Sequence, residues 1–195
     1  MAYVGQVLEN PVSGERIVFQ KTAADTDGEL LAFKLFLDPE GHVPGPHVHP
    51  EQEERFEVVK GTMRFQKGLQ TVVARAGDTV VVSPGTMHRF ANAGDEPAHV
   101  LVEVRPALRM EQLLEIATSL AQEGRTNRKG MPRPLELALF VREFEREVRV
   151  PLVPAGLMRA AFAPLARLAE SQGLDERYRQ LPAELLGTEG RRLAG

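Results

Sequence analysis

The sequence contains no cysteine. Disulfides and thiolate metal sites are therefore excluded, and any metal must be held by nitrogen and oxygen. No apolar run approaches the roughly 18 uninterrupted residues that a membrane span needs. The opening stretch MAYVGQVLENPVSGERIVF lacks the basic start and long apolar core of a signal peptide. A soluble cytoplasmic protein is the expectation. A dominant charge is also missing: the formal net charge of −3 points to neither nucleic acid nor an anionic membrane as partner. There is no helix-turn-helix segment with a basic face, no internal repeat and no low-complexity tract.

What is present is enough for a real core. An apolar fraction of 43% in 195 residues suits one large domain, or a domain with a sizeable appendage. Residues 1–105 carry 10 basic and 15 acidic side chains, whereas residues 106–195 carry 14 and 12, so the character of the chain changes near Pro106.

Before Pro106 the pattern is that of short strands cut by turns. Strands are expected at Tyr3–Leu8, Arg16–Phe19, Glu29–Leu37, Arg55–Val59, Thr62–Gln66, Thr71–Ala74, Thr79–Val82, His88–Ala91 and Ala98–Arg105. A hairpin is expected to turn at Lys60-Gly61. This spacing, with Gly, Pro, Asn and Asp between the runs, argues for an all-β sandwich or barrel. Phe36 interrupts the polar side of its strand, so that outer face is expected to be covered by a second sheet or a partner. After Pro106 the period becomes helical. Residues 107–123, Leu135–Val148 and Gly156–Gln172 read as three helices, the last with Leu157, Ala161, Leu165 and Leu168 on one face and a kink or break at Pro164. Leu137, Phe140, Val141 and Phe144 are expected to be buried against the barrel or a partner, and the tail after Gly187 to fray.

Between these elements lies GHVPGPHVHPEQEERFEVVKG, from Gly41 to Gly61. On an extended chain, residues i and i+2 point to one face, so His47 and His49 present two imidazoles side by side. Two neutral histidines and a carboxylate, with positions left open, make the ligand set of many non-haem iron sites and are accepted by other divalent metals. Glu54 follows after four residues, and His88 waits downstream. Glu53 competes with Glu54 for the carboxylate position. His42 and His99 read as surface or structural groups, and Glu51, Glu53 and Glu57 as a solvated face.

Two ordered motifs now carry a resemblance. Gly41, five residues, His47-Val48-His49, four residues, Glu54, six residues and Gly61 is similar to the first signature of the cupin superfamily. Gly77, five residues, Ser83-Pro84-Gly85, two residues, His88, three residues and Asn92 resembles the second, with Ser83 where that family usually has Pro. The six-residue gap to Gly61 selects Glu54 over Glu53. The chain thus looks like a small single-barrel cupin with a C-terminal helical extension. The resemblance implies a mainly β fold, a double-stranded β-helix or jelly-roll barrel over 1–105, followed by about three α-helices over 106–195 that pack on the barrel or on a dimer partner. It implies that His47, His49, Glu54 and His88 hold one divalent transition metal ion per chain, whether iron, manganese, nickel, copper or zinc, and that the protein is a homodimer.

Four protein ligands leave about two octahedral positions open, enough for a chelating substrate and dioxygen. By strand alternation Val100, Val102 and Val104 point inward and Glu103 and Arg105 outward, so the interior reads as apolar apart from the ligands. Gln52 and Arg64 are the other candidate polar groups. An apolar interior favours a metal-dependent dioxygenase acting on a small organic, even aromatic, substrate, with Glu54 able to act as a base if it leaves the metal. Metal-assisted isomerase, decarboxylase or lyase chemistry is the alternative, and a non-catalytic small-ligand or metal-binding protein the third.

Overall fold

The structure is a computed structural model that describes residues 2–179. The tail expected to fray after Gly187 lies outside the described residues. Nine strands precede four helices: β1 Val7–Asn10, β2 Glu15–Lys21, β3 Leu31–Leu37, β4 Glu53–Lys60, β5 Thr62–Lys67, β6 Gln70–Arg75, β7 Thr79–Val82, β8 His88–Asn92 and β9 Ala98–Arg105, then α1 Met110–Gln122, α2 Pro134–Glu143, α3 Ala155–Ser171 and α4 Glu176–Arg179. The strands form a six-stranded sheet in the order β1-β2-β3-β9-β4-β7 and a three-stranded sheet in the order β6-β5-β8. All the pairings are antiparallel. This is the cupin double-stranded β-helix, a jelly-roll barrel, with its helices at the C-terminal end of the chain.

The alternation read from the sequence sets the core. Phe33, Leu35 and Leu37 of β3 face Val102, Val100 and Ala98 of β9, and Phe56 and Val58 of β4 continue the same layer. All are buried. From the opposing sheet Phe65 and Phe90 meet Phe56, with ring centroids 5.1 and 5.3 Å away. Fully burying one such side chain contributes about 1.5–3 kcal/mol, which makes this aromatic cluster the main adhesive between the sheets. Glu103 and Arg105 point outward and pair with each other at 2.6 Å.

Several expectations are corrected. Lys60-Gly61 is not a hairpin turn, because β4 pairs with β9 and β7 while β5 pairs with β6 and β8. The chain crosses from one sheet to the other there. Gly61 has φ +86°, and a Cβ would stand 2.9 Å from the Ala98 Cα, so both the crossover conformation and the close approach demand glycine. Within the chain, it is not a second sheet that lies on Phe36. Its ring stacks on His99 at 4.5 Å, with the Arg16 guanidinium 5.2 Å from its centroid. The first strand begins at Val7 rather than Tyr3, and β2 begins one residue earlier than read, at Glu15.

The helical region departs further. The second helix ends at Glu143, not Val148. Residues beyond it peel away to pair with the barrel, where Arg149 and Val48 exchange backbone hydrogen bonds of 3.0 and 2.9 Å. Pro164 does not split α3, which runs unbroken from Ala155 to Ser171. Its buried side is carried by Ala166 and Ala169, while Leu157 and Leu168 are 61% and 48% exposed. The small alanines let α3 lie close against α2, and that proximity outweighs the leucine periodicity. The α2 reading fares better: Phe140 and Phe144 are buried, and Leu137 and Val141 are half-buried. Among the described residues, no helix is long and apolar enough to cross a membrane.

Candidate metal centre

His47 and His49 sit on a short extended segment bounded by Pro46 and Pro50. Prolines without an N–H cannot sustain a ladder, so the segment makes only isolated pairs, His47 with His88 and Val48 with Arg149. That is enough to fix register. The His47 and His88 backbones exchange hydrogen bonds of 3.0 and 2.9 Å, which holds their side chains together. Glu54 enters from the second position of β4 and projects inward, whereas Glu53 is exposed. The ligating atoms of His47, His49, Glu54 and His88 all lie within 4.8 Å of one another, and they form the one such group of three or more among the described residues.

Each imidazole is oriented in the same way. The Nδ1 of His47 lies 3.0 Å from the Gly45 carbonyl, that of His88 3.0 Å from the Thr86 carbonyl, and that of His49 2.5 Å from the Glu147 carbonyl. A carbonyl only accepts, so each Nδ1 carries the proton and each Nε2 turns its lone pair to the centre. Two of these carbonyls come from the ligand's own loop. The third comes from the helical extension, which therefore orients a residue of the barrel site.

The Nε2 atoms of His49 and His88 and one carboxylate oxygen of Glu54 are buried with no hydrogen-bond partner. That same Oε2 stands 2.7 Å from His88 Nε2 and 3.3 Å from His49 Nε2. Lone pair facing lone pair at that distance, away from water, is costly unless a cation stands between them. Nitrogen and carboxylate donors, preset tautomers and orphaned acceptors fit a divalent transition metal.

The electrostatics differ between the members of the group. Burial, with His49 and His88 beside it, pushes His47 down to about 3, so that ring is neutral across the physiological range. Burial acts to push His49 down and Glu54 up, but their mutual attraction outweighs it: His49 is raised and Glu54 is held well below the usual carboxylate range. Glu54 is thus an anion in a buried place, the state a metal ligand requires.

His47, His49 and Glu54 line a cavity of about 210 Å³ between barrel and extension, together with Phe33, Phe56 and Phe90 of the barrel, Met110, Leu113 and Leu114 of α1, and Leu137, Phe140 and Val141 of α2. The extension therefore roofs the site. Val148 and Val150 join the lining beside the histidines.

The remaining candidates from the sequence stand elsewhere. Gln52 is fully buried, but its Nε2 donates to the Pro106 and Ala107 carbonyls at 3.0 and 2.9 Å, so it fastens the start of the extension. Arg64 is exposed, and Glu51 pairs with Arg146 on the surface. His42 bonds the Glu40 carbonyl at 3.1 Å outside the group. Three polar cavity residues, Glu15, Asn10 and Arg149, are not apparent from the sequence pattern. Glu15 lines the wall, with its register partner Asn10 beside it, so the interior is not wholly apolar apart from the ligands. Starting β2 one residue earlier gives Glu15 the inward parity of Ile17 and Phe19.

Residues 34–104 match the family described as "Cupin domain". No curated protein sequence gives a significant match. Among solved structures, the chain is similar to a predicted oxalate decarboxylase from Thermotoga maritima, with 20% identity and a TM-score of 0.47 over 53% of this chain and 92% of that one. It is also similar to an RmlC-like cupin from Shewanella frigidimarina, with 20% identity and a TM-score of 0.45 over 55% and 90%. A third is KdgF from Halomonas sp., with 19% identity and a TM-score of 0.43 over 48% and 81%. Residues 34–104 are accordingly a cupin domain.

Proposed function

We propose that the protein is a metal-dependent oxygenase for a small, largely apolar organic substrate. His47, His49, Glu54 and His88 would hold the metal, and residues 106–195 would act as an extension that roofs it. The observation that carries this reading is the cluster of four donors, three of which, His47, His49 and Glu54, line a cavity walled largely by aromatic and aliphatic side chains. When bound, a redox-active divalent metal supplies the one-electron chemistry that dioxygen needs to react with an organic molecule.

The chain's own residues account for the remaining requirements. Phe33, Phe56 and Phe90 form a dry wall against which a flat ring or chain packs, and the volume of about 210 Å³ lies below the range of drug-sized pockets, which limits the substrate to a small molecule. The α1 and α2 side chains exclude bulk water and so protect reactive chemistry from side reactions. Glu54 is the carboxylate that would take a substrate hydroxyl proton if it were released from the metal. The homodimer implied by the family belongs to the same proposal and is checked by sedimentation.

The test is oxygen uptake by protein purified without added metal, screened on catechol-like and alkenyl aromatics. Iron, manganese, copper or nickel in the protein together with substrate-dependent uptake supports the oxygenase. Zinc with no oxygen consumption moves the assignment to metal-assisted isomerase, decarboxylase or lyase chemistry, or to ligand binding without catalysis.

A further inference from the structure

The described strands carry two acidic side chains with inward parity on the six-stranded sheet. One is Glu54. The other is Glu15, which shares the face of Ile17 and Phe19 on β2. The register separates them. Glu54 stands opposite Val104 on β9, while Glu15 stands opposite Leu37 of β3, which in turn faces Ala98. Val104 and Ala98 are six residues apart, a span on the order of 15–20 Å along the sheet. Both carboxylates nevertheless line one cavity, with Ile17, Leu35 and Phe33 between them.

The surroundings of Glu15 are built to hold it. The Ser13 hydroxyl, itself buried, donates to Glu15 Oε2 at 2.6 Å. Directly across the strand pair stands Asn10, whose Oδ1 accepts from the Val12 and Ser13 amides at 3.1 and 3.2 Å. Both side chains are fixed by one oxygen. The other Glu15 oxygen and the Asn10 Nδ2 have no hydrogen-bond partner among the described residues, and both residues line the cavity. Paired positions bring such groups to about 5 Å between Cβ atoms. An acceptor and a donor set side by side match a hydroxyl group, which donates to one and accepts from the other. An ammonium would satisfy Glu15 and leave the amide of Asn10 opposed, and a methyl would leave both groups dry and unpaired.

We propose that Glu15 and Asn10 form a hydroxyl-recognition subsite at the end of the cavity far from the metal donors. The substrate is then an elongated molecule with an oxygen-donor head at the metal, an apolar middle, and a distal hydroxyl. The assignment of the head rests on the metal reading above; that of the distal hydroxyl rests on Glu15 and Asn10 alone. Glu15 acts here as a specificity residue, remote from the reacting atoms.

The experiment uses the protein as purified and a molecular ruler of straight-chain carboxylates, eight to sixteen carbons long, ending in methyl, hydroxyl or ammonium. Affinities are measured by calorimetry. At one chain length the hydroxyl form binds about five- to tenfold more tightly than the methyl form, the worth of one well-made hydrogen bond, and more tightly than the ammonium form. In Glu15→Leu that preference disappears, because the hydroxyl form loses its acceptor and the plain acid no longer leaves a carboxylate unpaired. The wild-type comparison needs no variant, so a failure of Glu15→Leu to fold leaves the test intact. No hydroxyl preference at any length, an ammonium preference, or a hydroxyl preference that survives Glu15→Leu overturns the subsite. Stripping the metal separates the two readings: it weakens all three series alike if the head sits at the metal, and leaves them unchanged if only that reading fails.

Discussion

Phe144 joins the extension to the metal centre, and replacing it with alanine tests both its packing and its influence on the site. The ring is fully buried, lies 5.1 Å from Phe140 and 6.2 Å from Tyr178, and carries the Arg109 guanidinium 5.2 Å above it. Phe→Ala at such a site costs about 3–5 kcal/mol, from lost transfer energy and the cavity left behind. The edge contact with Phe140 and the cation–π contact lie within that range rather than on top of it. For a chain of this size each kcal/mol lowers the melting temperature by about 2–4 °C, so a loss of about 4 kcal/mol lowers it by roughly 8–16 °C if barrel and extension unfold together. The same residue opens the segment that carries Glu147, whose carbonyl orients His49. Losing such an outer partner weakens metal binding about 10–100-fold. Circular dichroism melts in chelator and a competitive metal titration measure the two effects. A stability change under 1 kcal/mol would refute the packing argument. Full destabilisation with unchanged metal affinity would show that the extension roofs the site without controlling it.

Other substitutions probe separate parts of the account. Glu54→Gln lowers metal affinity by at least about 100-fold, since it removes the anionic ligand, while Glu53→Gln, on an exposed side chain, stays within about twofold; metal competition assays compare them. Gly61→Ala is destabilising by about 2–4 kcal/mol in urea unfolding, because alanine meets both a left-handed φ and the Ala98 backbone. Glu111 is raised by burial, which the hydrogen bond from the Ala23 amide only partly offsets. A carboxyl with a raised folded pKa binds its proton more readily in the native state. Its contribution is therefore present below about 4.5 and is lost as pH rises through the folded value. Glu111→Gln, which keeps an oxygen for the Ala23 amide, is accordingly expected to shrink the loss of stability as the pH rises from about 4.5 towards neutrality, read from melts across that range.

Much of the barrel was legible because alternation is a local property. Val100, Val102 and Val104 follow a period of two whichever strands flank them, and the core confirms that parity. The same is true of Glu54 against Glu53, where a spacing to Gly61 and the inward parity of Phe56 and Val58 point to one residue. What local pattern does not contain is pairing. Lys60-Gly61 has the composition of a hairpin turn, yet the two strands belong to different sheets, and only the approach of Ala98 explains the glycine. Helical leucines in α3 misled for a related reason: Leu157 and Leu168 share a face, but Ala166 and Ala169 are the residues the fold buries. The roles of Glu147 and Arg149 were out of reach altogether. They act through backbone groups, which every residue has, so no side-chain pattern marks them. Glu15 was missed by a single residue of strand boundary.

The most direct test of the central claim is the metal content and ligand set of the native protein, measured by elemental analysis and X-ray absorption on material purified without added metal. One divalent transition metal per chain, in a nitrogen and oxygen environment with three imidazoles, is the expected result, and a His47→Ala/His88→Ala double variant should lose it. Full metal content in that double variant, or a wild-type chain that binds no metal at all, would contradict the account.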